Sequence, residues 1–229
     1  MATNVVQKEN KDKKPLPLVV SEYLLRFRKI ILTSIAVLSA IMIGIVVYSI
    51  VVEHKNTVAT AKIEAIIEQW EKAKYEEEGN ALTESEDRFL KELSILADKN
   101  KRLSSGARSN LISAEIYFSR KDWKNARDFY LACVKSRPSI YTAPIAYYNA
   151  AVCSEELGDP DSAIVQYRKA FDHDSFSQKP RALFNIGRIE EQRGNRDLAI
   201  TTYEQLADQF PEDSWGLLAK SRIISLQIQ

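Results

Sequence analysis

The side chains best able to do chemistry are few and lie far apart in the sequence. The 229-residue chain has two histidines, His54 and His173, and two cysteines, Cys133 and Cys153. A structural zinc site needs four ligands at short spacings, and an activated nucleophile needs a base beside it. Neither histidine has a Cys or His close in sequence, and there is no Gly-rich phosphate loop, HExxH helix, paired CxxC or nucleophile elbow. The expectation is no catalytic residue, no metal, no cofactor and no enzyme. Both cysteines fall on helix faces expected to be buried, where they read as small core residues. A disulfide between them stays chemically open if the domain lies outside the cytoplasm.

With no reaction centre to position, the chain is organised around Ile30 to Val52, 23 residues without charge or proline and with the single glycine Gly44. As a helix this run extends about 35 Å, slightly more than the roughly 30 Å hydrocarbon core of a bilayer. Its aliphatic residues favour insertion and no ionised group opposes them. It reads as one transmembrane helix. A signal peptide fits poorly, because signal apolar regions run only about 7 to 15 residues and no small-x-small site follows Val52 at once.

The flanks set an orientation. Residues 1 to 29 hold seven Lys or Arg against three acids, a net +4, and basic residues beside a membrane helix stay on the cytoplasmic side. By subtraction from 32 and 31, residues 53 to 229 hold 25 basic and 28 acidic residues. This mildly acidic domain lacks the footprint of a nucleic-acid binder. The expectation is a single crossing, with the N-terminus cytoplasmic and everything after Val52 outside, in a periplasm-like space.

Taken in order, residues 1 to 20 read as a disordered tail and Ser21 to Lys29 as a short amphipathic lead-in. Ile63, Ile66, Ile67 and Trp70 recur at helical period, in a stretch without Gly or Pro from Ile45 to Glu78. The first break is therefore Gly79-Asn80. Thr83 followed by Glu86 has capping-box spacing, and Phe89, Leu93 and Leu96 mark the apolar face of a second helix ending near Asn100.

From residue 105 the chain repeats itself. DWKNARDFYLACVKSRP, DPDSAIVQYRKAFDHDS and NRDLAITTYEQLADQFP bring Ala126, Ala163 and Ala199 into register, with Tyr130, Tyr167 and Tyr203 four residues later. Both series are spaced 37 then 36. The preceding halves align as well, with Tyr147, Ala150, Ala151 opposite Leu183, Ile186, Gly187. Gly158-Asp159 and Gly194-Asn195 supply the turn inside two units, where the first unit has Lys121.

This pattern resembles the tetratricopeptide (TPR) repeat, a helical hairpin of about 34 residues with a small residue early in its second helix and an aromatic four later. The resemblance implies an all-α fold in which one N-terminal transmembrane helix precedes a TPR-like α-solenoid. The division is residues 1–29 as cytoplasmic basic tail, 30–52 as transmembrane helix and 53–104 as a degenerate leading hairpin. Residues 105–211 then form three TPR-like units and 212–229 a capping helix. Repeat arrays meet partner proteins on an extended concave face. The resemblance places that face on the first helix of each unit: Arg108, Leu111, Glu115 and Phe118; Ile145, Tyr148, Val152 and Glu155; Arg181, Phe184, Arg188 and Glu191. Phe118, Tyr148 and Phe184 are expected to anchor a peptide or helix, with Arg181 and Arg188 for acids. The same side chains are equally suited to packing between units. TPR domains that clamp a C-terminal carboxylate use Lys and Asn where this chain has Leu111 and Glu115, although Asn149 and Arg181 match.

The layout is similar to bacterial inner-membrane TPR proteins that accompany the Sec translocon. This resemblance implies that the membrane is a bacterial inner membrane, with the C-terminal domain periplasmic. It also implies a membrane-anchored adaptor or scaffold that binds envelope or exported proteins, or membrane-machine subunits, and assists export or periplasmic chaperoning. The alternative is a structural subunit of a large envelope assembly, such as a secretion, division or flagellar apparatus.

Overall fold

A computed structural model describes residues 16–228, and every element among them is helical. The chain divides into two compact units, Met1–His54 and Lys55–Gln229, which are taken separately.

In the first unit, α1 (Leu16–Glu76) already runs helically from residue 16. Residues 16 to 20 were expected to be disordered and instead belong to α1, which also takes in the lead-in at 21 to 29. The chain from Ser21 to Glu78 contains one glycine and no proline, so nothing in it stops the helix. Residues 1–15, which hold the rest of the expected tail, lie outside the described residues. From Leu32 to Val51 every side chain is exposed, Ile35, Leu38, Ile43 and Ile50 among them. This is the one helix among the described residues long and apolar enough to cross a membrane.

In the second unit, the end of α1 packs with α2 (Gly79–Lys99) and α3 (Ser104–Ser119) around Ile63, Ile66, Trp70, Phe89, Leu93 and Ile116. Gly79 holds the break between α1 and α2 at φ 58°, the left-handed region in which a side chain is strained. The capping box is not formed. The helix begins at Gly79, four residues before Thr83, whose hydroxyl donates back to Gly79 O at 3.1 Å. Glu86 is instead buried and accepts from Trp70 Nε1 at 2.9 Å and from Arg120 Nε at 2.5 Å. A carboxylate so deep in the hairpin needs both partners, since burying it unpaired would cost several kcal/mol.

Helical hairpins follow: α3 with α4 (Trp123–Ser136), α5 (Ala143–Glu156) with α6 (Pro160–Phe171), and α7 (Lys179–Gln192) with α8 (Arg196–Gln209). A last helix, α9 (Ser214–Ile228), packs on α8 and α7. Pro144, Pro160 and Pro180 sit in first turns, where the missing N–H has no helical partner to lose. Asp122 and Asp159 accept from backbone N–H of Asn125 and Ser162, capping α4 and α6. The turns inside the hairpins pass through left-handed backbone at Gly158 (φ 71°) and Gly194 (φ 77°), and at Lys121 (φ 59°).

The aligned small residues are all sealed in the core. Ala126, Ala163 and Ala199 are fully buried, which allows the paired helices to approach, and Tyr130, Tyr167 and Tyr203 fill the space beyond them. Cys133 and Cys153 are both free and buried, so the disulfide left open by the sequence is not formed.

Candidate partner-binding face

The first helices of the hairpins, α3, α5 and α7, carry the residues assigned to recognition. Arg108 is half-buried and paired with Glu64 at 2.5 Å. Leu111 lies in the core, and Phe118 packs edge-on against Trp123 at 5.1 Å and Tyr130 at 6.3 Å. Glu115 is half-buried and has neither hydrogen bond nor ion pair among the described residues; burial raises its carboxyl above the usual range although Lys74 and Arg108 pull the other way.

On α5, Tyr148 is only 7% exposed. Its ring meets Tyr167 at 5.1 Å, edge to face, and Phe176 at 5.9 Å, and Asn185 Nδ2 donates to its Oη at 3.1 Å. Val152 is half-buried against the same cluster, while Ile145 is exposed. On α7, Phe184 is 8% exposed between Tyr203 at 5.4 Å and Trp215 at 5.0 Å. Turning Tyr148 outward to meet a partner would forfeit about 1.5–3 kcal/mol of burial and a further ~1 kcal/mol for the Asn185 bond. These rings therefore serve the stack first and present only their edges.

The charged residues on this face form a repeated device. Glu155 accepts from Tyr167 Oη at 2.6 Å and from Arg188 of the next hairpin. One unit later Glu191 accepts from Tyr203 Oη at 3.0 Å and from Arg222 of α9. Each glutamate thus joins the tyrosine of its own hairpin to the arginine of the following helix. Burial, and then the neighbouring carboxylate, push the Tyr167 and Tyr203 hydroxyls far above their ordinary value, so both stay protonated donors. In the first hairpin Phe118 stands where the glutamate would be, and Tyr130 Oη accepts from Asn149 Nδ2 at 3.3 Å instead.

The structure leaves two features open. Arg181 is exposed, its guanidinium 5.5 Å from the Tyr148 ring and 5.8 Å from Trp215, aligned by cation–π contacts and without an ion pair among the described residues. A pocket of about 280 Å³ lies against α3, with Arg108, Leu111 and Glu115 on one wall and the Ile140–Thr142 turn on the other. Sequence reasoning did not single out Ser105, Thr142 or Arg222. The repeat itself could have found Arg222, 34 residues after Arg188. No sequence signal marks the other two. Among the described residues no group of three His, Cys, Asp or Glu side chains is placed to hold a metal ion.

Residues 155–214 match the family description "Tetratricopeptide repeat". A "TPR repeat-containing protein" of Treponema pallidum (strain Nichols) is 34% identical over 151 residues, 66% of this chain and 63% of that protein. The chain thus spans less than two thirds of that relative's length. Among solved structures, MamA aligns at TM-score 0.48 and 19% identity, over 69% of this chain and 85% of its own. A thermophilic TPR protein of Thermus thermophilus, TTC0263, aligns at 0.42 and 15%, over 76% of this chain and 94% of its own. Residues 155–214 thus carry the tetratricopeptide-repeat signature within an array of helical hairpins, an architecture suited to binding other proteins.

Proposed function

We propose that the chain is a membrane-anchored scaffold: Ile30 to Val52 crosses the bacterial inner membrane, and the repeats hold partner proteins on its extracytoplasmic side. The observation that carries this reading is the exposure of every side chain from Leu32 to Val51 on a helix that precedes a repeat array. Twenty consecutive exposed, uncharged positions are costly in water and favourable in lipid. The +4 tail supports a cytoplasmic N-terminus. Tethering near the bilayer raises the effective concentration of partners there without any new contact, which is the benefit expected of an adaptor that assists export or periplasmic chaperoning. The division proposed is a tail at 1–29, an anchor at 30–52, a leading hairpin at 53–104, three units at 105–211 and a cap at 212–229, and no catalysis is assigned to any of them.

A permanent place in a large envelope assembly is the second reading. It is favoured by Leu217, Leu218, Ile224 and Ile228, which leave the last helix with exposed apolar side chains. Photocrosslinking in intact membranes separates the two, with the photoreactive residue at the exposed positions Ile145 and Arg181 rather than at the buried Tyr148 and Phe184. Varied exported proteins and translocon subunits support the adaptor, and one or two fixed partners in constant ratio support the assembly subunit. A reporter fused after Gln229 that is active only in the cytosol would reverse the orientation.

A further inference from the structure

The pocket against α3 has more unmet polar capacity than a gap between packed helices should. Ser105 is 1% exposed and its hydroxyl has no hydrogen-bond partner among the described residues. Other serines of the same helix satisfy themselves locally: Ser109 donates to Ser105 O at 3.0 Å and Ser119 to Ile116 O at 2.8 Å. A buried hydroxyl left unpaired costs about 1–3 kcal/mol, so buried polar groups are almost always matched by protein, water or ligand. Across the pocket Thr142 Oγ1 is likewise buried, with no hydrogen-bond partner beyond the neighbouring Cys133 thiol. Glu115, which lines the same pocket, has no hydrogen bond or ion pair among the described residues, although Lys74 and Arg108 act on it at longer range.

All three groups want the same thing. Two hydroxyls have free lone pairs, and a carboxylate only accepts. The nearby cations that could have answered them are engaged elsewhere, Arg108 by Glu64 at 2.5 Å and Lys74 by Glu71 at 2.6 Å. Between the polar groups the lining is aliphatic, from Leu111 and Ile140. About 280 Å³ is below the range of most small-molecule sites and suits one long side chain. A compact cation with three donors on an apolar stem meets both demands, whereas a planar guanidinium spreads its five donors over a wider fork.

We propose that this pocket is a socket for the primary ammonium of a lysine presented by a partner polypeptide, with Glu115 as counter-ion and Ser105 and Thr142 as the two further acceptors. The assignment rests on the partner-binding reading above and adds the chemistry of the residue recognised. Leu111 and Ile140 take the methylene stem, which lets the charge enter while its chain displaces water from apolar surface.

The test uses the full chain in detergent micelles and three probes: N-acetyl-lysine methylamide, its norleucine counterpart and n-butylammonium. Binding is followed by ligand-observed NMR. The expected result is saturable binding of the lysine probe, at least tenfold weaker binding of the norleucine probe, and at least tenfold loss for the lysine probe in Glu115→Gln and in Ser105→Ala. Circular dichroism melts identify a variant that has lost its fold, in which case Thr142→Val replaces it. Equal binding of lysine and norleucine probes, or an unchanged lysine affinity in Glu115→Gln, overturns the socket. n-Butylammonium carries the same ammonium and four-carbon stem and is expected to bind within a few-fold of the lysine probe; its failure to bind overturns the socket. The crosslinks at Ile145 and Arg181 keep the two proposals apart: adducts that persist when no lysine probe binds sink the socket alone, and absence of any adduct sinks the scaffold.

Discussion

Glu155 of α5 accepts a hydrogen bond from Tyr167 Oη at 2.6 Å, and the spacing of 12 residues between them returns in Glu191 and Tyr203. In both units the second carboxylate oxygen, or the same one, also faces an arginine of the next first helix. The arrangement connects a helix to its hairpin partner and to its neighbour in the stack through a single side chain. It buries the tyrosine hydroxyl without leaving it unpaired.

Removing the acceptor is therefore expected to cost more than removing the cation. Glu155→Ala should destabilise the full chain by about 1–3 kcal/mol, because Tyr167 Oη is left buried and unmatched. Arg188→Ala should cost no more than about 1 kcal/mol, since the Arg188 side chain is a third exposed and part of its charge is solvated. Denaturant midpoints measure both. Equal costs would show that the ion pair, and not the tyrosine hydrogen bond, dominates.

Gly216 should not accept a side chain. A Cβ there would stand far inside van der Waals contact with the backbone oxygen of Phe210, and backbone cannot swing aside. Gly216→Ala gains roughly 1 kcal/mol in helix propensity and is expected to lose more than that to overpacking, for a net destabilisation of about 1–2 kcal/mol. The same logic holds at Gly106, whose Cβ would collide with Asn100 O. A thermal melt of Gly216→Ala above that of the parent chain would refute the close approach.

Lys121 occupies the left-handed position that glycine fills in the other two hairpins. The conformation costs a side-chain-bearing residue roughly 1–2 kcal/mol, against a conformational-entropy cost for glycine of about 0.5–1 kcal/mol. Lys121→Gly is expected to stabilise the chain by about 0.5 kcal/mol, read as a higher denaturant midpoint at unchanged slope. A lower midpoint would mean that the lysine stem contributes packing that outweighs the strain.

Alkaline pH should loosen the stack. Burial pushes the Cys133 thiol from 9.0 to about 11 and the Cys153 thiol from 9.0 to about 12, and raises the hydroxyls of Tyr130, Tyr167 and Tyr203 above their ordinary 10.0. In each case the folded state holds the proton more tightly than the unfolded chain does. The stabilisation is thus complete below about pH 9 and is lost as pH rises towards 11 and 12, with a slope of up to about 1.4 kcal/mol per pH unit for each group. Urea titrations between pH 8 and 10.5 should show a falling midpoint, with slow labelling by a thiol reagent at pH 8. A flat profile would place the thiols in contact with solvent.

Much of the fold was legible because the repeat is written in small residues. Ala126, Ala163 and Ala199 recur at nearly constant spacing because only a small side chain fits between paired helices, and all three are fully buried. The break at Gly79 was visible for a similar reason, since left-handed backbone selects glycine. The capping box at Thr83 and Glu86 misled because the same spacing serves a different purpose once α3 arrives: Glu86 is claimed by Trp70 and Arg120. The aromatic residues assigned to a partner face were ambiguous in kind. Tyr148 and Phe184 lie on the expected helices, but their rings fill the joints between hairpins.

The sequence by itself determined the local, periodic properties of this protein: an uncharged 23-residue run, a chain that turns helical hairpins at a fixed period, and the glycines and prolines that punctuate them. These depend on side-chain size, backbone freedom and solvation, which each residue carries with it. Only the tertiary structure decided which polar groups find partners. Glu155 and Glu191 are matched across 33 and 31 residues, while Ser105 and Glu115 meet around one pocket without a hydrogen-bond partner among the described residues and Thr142 has only the Cys133 thiol. Hydrogen-bond satisfaction is a property of how helices distant in sequence come together, so no residue type or spacing announces it in advance.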